Sequence, residues 1–277
     1  MKTAIFPRVA ALLIVFPLML FPSALLAQSV DSQAAAKSSG PVSVNLNGLD
    51  GLWVATSAGT LPEGSFVVGG GFVFGNGKFG PGGGYSTYAV PVTVTYAFTD
   101  RIEGGASAPV IMNVDPDVGA TQSGFGDVNL SIKYSLQAET QTMPAYAVGA
   151  RLKLGTASDA NGLGTGDTDL GIFAALDQQI GGVHGYLNVE YALRGGNMDN
   201  EVNYALGLKI PYTDSVDFTV ELVDQGFITS EYNFGDILIG GASFDMAPSV
   251  NFGFAVGLGL NDNSSDFLLG GKLSFSL

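Results

Sequence analysis

From Ser65 to the C-terminus, apolar residues return on every second position in run after run. The stretch FGDVNLSIKYSL (125–136) shows the pattern: Val128, Leu130, Ile132, Tyr134 and Leu136 alternate with Asp127, Asn129, Ser131, Lys133 and Ser135. Strand side chains point alternately to opposite faces, so such a run predicts a strand with one apolar and one polar face. Runs at 65–74, 88–98, 102–112, 125–136, 144–155, 167–179, 183–194, 201–212, 216–225, 234–246, 250–260 and 265–277 predict about twelve strands. Their lengths suit the ~9–11 residues that a tilted strand needs to cross a bilayer, against about 5–6 in a typical soluble strand.

The connections alternate in kind. Thr99-Asp100-Arg101, Ile180-Gly181-Gly182, Thr213-Asp214-Ser215 and Ala247-Pro248-Ser249 are short turns, with a longer one at 137–143. Between them come GNGKFGPGGGYST, NVDPDVGATQSG, TASDANGLGTG and QGFITSEYN, read as long loops. A sheet with short turns at one end and long loops at the other has the layout of an outer-membrane barrel, with the short turns in the periplasm.

Alternation alone leaves open which face looks outward. A soluble sandwich or lipocalin-like barrel turns the apolar face in. Here the apolar face is free of charge at mid-strand, as lipid requires, because a charge there costs roughly 2–4 kcal/mol. Aromatics collect near the short-turn ends (Tyr96, Phe98, Tyr134, Tyr146, Tyr212, Phe218, Phe252 and Phe275), as amphipathic rings do at a water–lipid boundary. The expectation is an all-β fold, a transmembrane antiparallel up-and-down β-barrel over residues 63–277. Its apolar face meets lipid and its polar face lines the lumen, placing Lys133, Arg151, Lys153, Glu190, Arg194, Lys209, Glu221, Asp245 and Lys272 inside. Lys133, Arg151 and Lys153 then form a basic strip facing acids of later strands, a transverse field that would bias permeating ions. Pro91 and Pro109 fall inside strands, where only bulges accommodate them.

The N-terminus fits export. Lys2 and Arg8 precede the apolar run Val9–Leu20, and Ala24-Leu25-Leu26-Ala27 offers a cleavage site, so residues 1–27 read as a secretory signal peptide. Residues 28–62 lack periodicity and read as a flexible periplasmic segment; around the single tryptophan, LNGLDGLWVATSAG is consistent with a short strand, a plug or a periplasmic stretch. Cleavage removes two of the 11 basic residues, leaving nine against 25 acidic ones and a net charge of −16. That balance excludes nucleic acid as a partner. Mean hydropathy is nonetheless positive, +0.31, an odd pairing for a soluble secreted globule.

Little points to catalysis or a cofactor. There is no cysteine and one histidine, His184, so thiolate and His-rich metal sites are out. NGLGTGDTD (161–169) lacks the lysine of a phosphate loop, and Asp159, Asn161, Asp167 and Asp169 form one acidic surface run rather than a repeated calcium motif. No nucleophile motif surrounds any serine near His184's sequence. The expectation is no enzyme and no cofactor.

The order GFGDVNLSIKYSL, PAYAVGARLKLGTASDANGLGTGDTDLG, YALRG, YALGLKIPYTDSVDFTVEL and VGLGLNDNSSDF resembles the outer-membrane barrel family labelled as meta-pathway phenol-degradation proteins, or simply transporters. The likeness covers roughly residues 124–277 well and 61–123 weakly. It implies a passive outer-membrane channel for small molecules, apolar or aromatic ones among them. Its partners would be outer-membrane lipid, the barrel assembly machinery and small solutes. The chain departs from the usual pattern at its last residues, Phe275-Ser276-Leu277, which end on an aliphatic rather than an aromatic side chain. The alternative is a non-conducting structural barrel or surface receptor of the same membrane.

Overall fold

The computed structural model describes residues 42–79, 83–116, 120–224, 235–261 and 264–277. Their strands are β1 (Phe66–Phe79), β2 (Gly83–Thr99), β3 (Ile102–Pro116), β4 (Gln122–Gly124), β5 (Val128–Gln137), β6 (Ala145–Leu154) and β7 (Asp169–Ile180). They continue with β8 (Val183–Leu193), β9 (Glu201–Thr213), β10 (Val216–Asp224), β11 (Asp236–Ala247), β12 (Val250–Gly259) and β13 (Phe267–Ser276). Twelve are long; β4 has three residues and pairs with the far end of β3. Each long strand is antiparallel to its neighbours, and β1 pairs with both β2 and β13, which closes the ring. Closure leaves no strand edge for lipid to meet, the condition for a sheet to span a membrane.

The polarity of the wall is inverted relative to a soluble sheet. Leu130, Ile132, Tyr134 and Leu136 of β5 are exposed, while Asp127, Ser131, Lys133 and Ser135 are buried. The same outward band continues through Ile172 on β7 and Leu208 on β9, at 56% and 42% exposure. At the short-turn end Tyr96 meets Phe98 edge-on at 5.0 Å and Tyr212 meets Phe218 at 5.4 Å, two parts of the aromatic girdle. Both β1 and β13 have their terminal residues at this end, where Leu277 N donates to Phe66 O.

Three sequence expectations need correction. GNGKFGPGGGYST is not a loop throughout, because β1 runs on to Phe79 and β2 begins at Gly83. NVDPDVGATQSG likewise carries the end of β3 and all of β4. Glycine and asparagine at these positions suggested turns, but the β1–β2–β3 ladder extends through them. The two prolines face one another across β2 and β3, and the register shifts between Val90 and Pro91, so a bulge absorbs the missing N–H groups.

The third correction concerns the N-terminal segment. The signal peptide and residues 28–41 lie outside the described residues. Residues 42–62, read as flexible in the periplasm with a plug left open for the stretch around Trp53, are folded inside the barrel. Leu49, Val54, Ala55 and Ala58 have no exposure at all. The segment is a compact loop closed by bridges Val44–Asp50 and Gly51–Thr56. The Asn45 side chain holds it together, accepting from Asn47 N and Leu49 N and donating to Val54 O and to Thr56 Oγ1 at 2.9 Å. Both of its ends lie at the short-turn end: Val42 and Leu61 pack with Val67 and Ala97, and Thr60 Oγ1 donates to Asp100 O.

Candidate functional site: the barrel interior

The interior is built by the inward positions of every strand together with residues 42–62, and its two halves differ. In the short-turn half, wall side chains bind the backbone of the inserted segment. Glu221 on β10 accepts hydrogen bonds from three consecutive N–H groups, those of Trp53, Val54 and Ala55, at 2.8, 2.9 and 2.8 Å. Glu103 on β3 accepts from Asp50 N and Leu61 N, and Asp177 on β7 from Ala58 N and Ser57 Oγ. Lys133 donates to Ser57 O at 2.8 Å and pairs with Glu103 at 3.1 Å. Lys272 donates to Val44 O and Leu52 O. The Asn188 amide both donates to Thr56 O and accepts from Thr56 N. These groups satisfy a loop that has no sheet of its own to pair with.

Glycines shape the same wall. A Cβ on Gly105 would fall 1.7 Å from Gly48 O, and one on Gly270 would fall 2.3 Å from Cζ2 of Trp53. A Cβ on Gly207 would meet Leu52 at 2.7 Å. The absent side chains therefore admit the segment, and Trp53 fills the recess at Gly270 with Lys272 Nζ 5.5 Å from its ring. Gly48 adopts φ 78°, which lets the loop turn against Ala106.

Above the segment, the wall from β5 to β9 carries paired charges. Arg151 Nη1 lies 2.9 Å from Glu190, and Lys153 lies 2.9 Å from Asp169 and 3.6 Å from Asp127. Arg194 bridges Asp169 and Glu201. The connection 155–168 is tied to this wall, with Ala157 N donating to Asp127 and Lys153 Nζ bonded to Thr165 Oγ1. Across the interior, β10 to β12 supply an apolar patch: Val223, Ile237, Ile239 and Ala255 pack with Leu52, Trp53, Val54 and Ala55.

A cavity of about 340 Å³ remains at the short-turn end, between the segment and β8 to β13. Asp50, Trp53, His184, Lys209, Asp217 and Asp245 are among its lining. Burial, with the Glu103 carboxylate beside it, raises Asp50 from its ordinary 3.8 to about 6. His184 stacks on Tyr186 at 4.8 Å, with Nε2 3.7 Å from the Glu139 carboxylate.

Each residue assigned to the lumen from sequence has a definite place. Lys133, Glu221 and Lys272 grip the inserted segment; Arg151, Lys153, Glu190 and Arg194 belong to the ion-paired wall. Lys209 and Asp245 line the cavity, paired with Asp217 at 2.9 Å and bonded to Asn251 Nδ2 at 2.8 Å. Lys133, Arg151 and Lys153 do not form a free basic strip, because each meets a carboxylate. The sequence reading left Trp53 open between strand, plug and periplasmic stretch, and gave no sign that Asn188 and the recess glycines receive its segment. Bonds to backbone groups leave no mark in a partner's side-chain pattern. The apolar inner wall had a signal: Ile237-Leu238-Ile239 and Phe267-Leu268-Leu269 are unbroken apolar runs, which mean a strand with apolar surroundings on both faces, here lipid outside and an apolar interior inside.

No protein-family model matches the chain, and no curated protein matches it by sequence. Solved structures do match in fold. An outer membrane channel from Pseudomonas putida F1 superposes with TM-score 0.65 at 15% identity, covering 79% of this chain and 98% of that one. The NanC porin superposes with TM-score 0.50 at 12% identity, covering 76% of this chain and all of the porin. At such identities the likeness is one of fold: the chain has the architecture of an outer-membrane barrel.

Proposed function

We propose that the chain is an outer-membrane channel for small molecules, held closed by its own residues 42–62. The observation that carries this reading is the inverted wall: apolar side chains exposed outward all round a closed ring, ion pairs and a cavity within. With residues 42–62 displaced, a solute would face charge on one side and Val223, Ile237 and Ile239, now covered by the segment, on the other. That contrast suits small apolar or aromatic compounds bearing a polar group better than freely hydrated ions. It agrees with the substrate class implied by the sequence resemblance to the meta-pathway phenol-degradation family. Residues 1–27 direct Sec-type export to the periplasm. The assembly machinery then takes up the chain through β13, whose Phe275 stands in for the usual terminal aromatic.

One observation favours the alternative of a closed structural barrel or receptor: Trp53 and its neighbours are packed as tightly as a core. Uptake decides between the two. Porin-deficient cells expressing the protein without residues 42–62 should accumulate a radiolabelled monoaromatic alcohol faster than cells with an empty vector. Equal rates, with the barrel folded in the outer membrane, would favour the structural barrel.

A further inference from the structure

The inserted segment touches many wall side chains, but they are not equivalent. Glu103 has Lys133 as counter-ion and holds Asp50 and Leu61, the latter five residues before β1 begins. Asp177 holds the segment through Ser57 and Ala58. Glu221 differs on both counts. Among the described residues no cation lies within 4.0 Å of it, and its carboxylate is fully buried. Its charge is met by the three successive N–H groups at the centre of the segment. Consecutive N–H groups converging on one anion form a nest, and charge-assisted bonds of this kind are about twice as strong as neutral ones.

The geometry points to Glu221 as the latch of the barrel: its carboxylate docks the Trp53-Val54-Ala55 backbone and sets whether residues 42–62 stay inside. The dependence is mutual. A buried carboxylate without donors is costly, and a buried run of N–H groups without an acceptor is costly too, so the docked state satisfies both at once. Opposite the latch, the recess at Gly270 receives the Trp53 ring, so backbone and side chain are fixed by different strands. Lys272 supports the latch from β13 by holding Leu52 O, next to the first of the three N–H groups. Loss of Glu221 frees the centre of the segment while its root at Leu61 stays bound to Glu103. The latch therefore moves a tethered loop, and the ring of β1 to β13 keeps its own ladder.

This inference rests on the channel reading for its consequence, and Trp53, the chain's single tryptophan, allows it to be tested apart from that reading. Glu221→Gln keeps the size of the side chain and removes its charge. In folded, heat-modifiable barrels this variant should shift Trp53 emission to the red and raise acrylamide quenching several-fold. Asp214→Asn, which alters an exposed carboxylate in the turn before β10, should leave both unchanged. If Glu221→Gln does not fold, Ala55→Pro decides, since it removes one of the three N–H donors and leaves every barrel strand intact. Trp53 as shielded as in the wild type, in whichever of the two variants decides, overturns the latch. Planar-bilayer conductance then separates the two proposals. Higher conductance with Trp53 released supports both; a silent barrel with Trp53 released keeps the latch and removes the channel.

Discussion

Two walls of the same interior satisfy their polar groups in opposite ways. In the long-loop half of β5 to β9 the partners come from the wall itself: Arg151 with Glu190, Lys153 with Asp169, Arg194 with Glu201. In the short-turn half, and from β10 to β13 above all, the partners come from residues 42–62: Glu221 with three N–H groups, Lys272 with two carbonyls, the recess at Gly270 with the Trp53 ring. The first wall is complete without the segment. The second is complete only with it. That difference is what the proposed channel, gated by residues 42–62, would need.

The self-paired wall should break most sharply. Arg151→Glu with Lys153→Glu places two new carboxylates against Glu190, Asp169 and Asp127. Losing one partner of a buried pair costs about 3–5 kcal/mol, and here several go together. The double variant should fail to give the heat-modified folded band, rather than conduct with altered ion selectivity. A folded barrel with a shifted reversal potential would mean that these cations line an open, watered path.

On the other wall, Ile239→Ala leaves a hole under the inserted segment. The expected loss is about 2–5 kcal/mol in urea unfolding from lipid vesicles, with Trp53 emission moving to the red. Similar destabilisation without any change at Trp53 would separate the apolar wall from the segment. Gly270→Ala should be milder, about 1–3 kcal/mol, because one methyl group meets the Trp53 ring and the loop must shift to make room. Its quenching should rise while the strand ladder keeps its unfolding midpoint within that range.

The smallest effect is titration of Asp50. Its docked value is raised from 3.8 to about 6, so the docked state binds the proton more tightly than the free loop does. The penalty is absent below about 4 and grows as pH rises through about 6, so docking weakens toward neutral pH. Trp53 quenching should therefore increase slightly between pH 4 and 8, at about the sensitivity limit of one group titrating. Asp50→Asn should flatten that profile; an unchanged profile would assign it to another group.

Much of this molecule was legible in its sequence, and for a physical reason. A strand between lipid and a polar lumen alternates, so Val128 to Leu136 and their equivalents declare the strand, and the charge-free apolar face with aromatics at its short-turn end declares which side meets lipid. Strand ends were less legible where glycine-rich stretches continue a ladder, as between Phe74 and Phe79. The inserted segment was least legible. It has no periodicity because it forms no sheet, and the side chains that hold it bind backbone N–H and C=O groups, which every residue but proline carries. Gly105, Gly207 and Gly270 read as ordinary sheet glycines until the loop is seen against them. Lys133, Glu221 and Lys272 could be placed inside by parity alone, but parity does not tell a side chain that faces water from one that faces a folded loop.

Residues 42–62, on the proposed reading, are the barrier inside a barrel that otherwise conducts. The most direct measurement is planar-bilayer conductance of the full chain beside a chain lacking residues 42–62, each first shown to be folded by heat modifiability. The full-length barrel should be nearly silent and the shortened one should show large, stable steps, which residues 42–62 supplied as a peptide from the short-turn side reduce. Equal conductance from both chains, or silence from both, would contradict that reading.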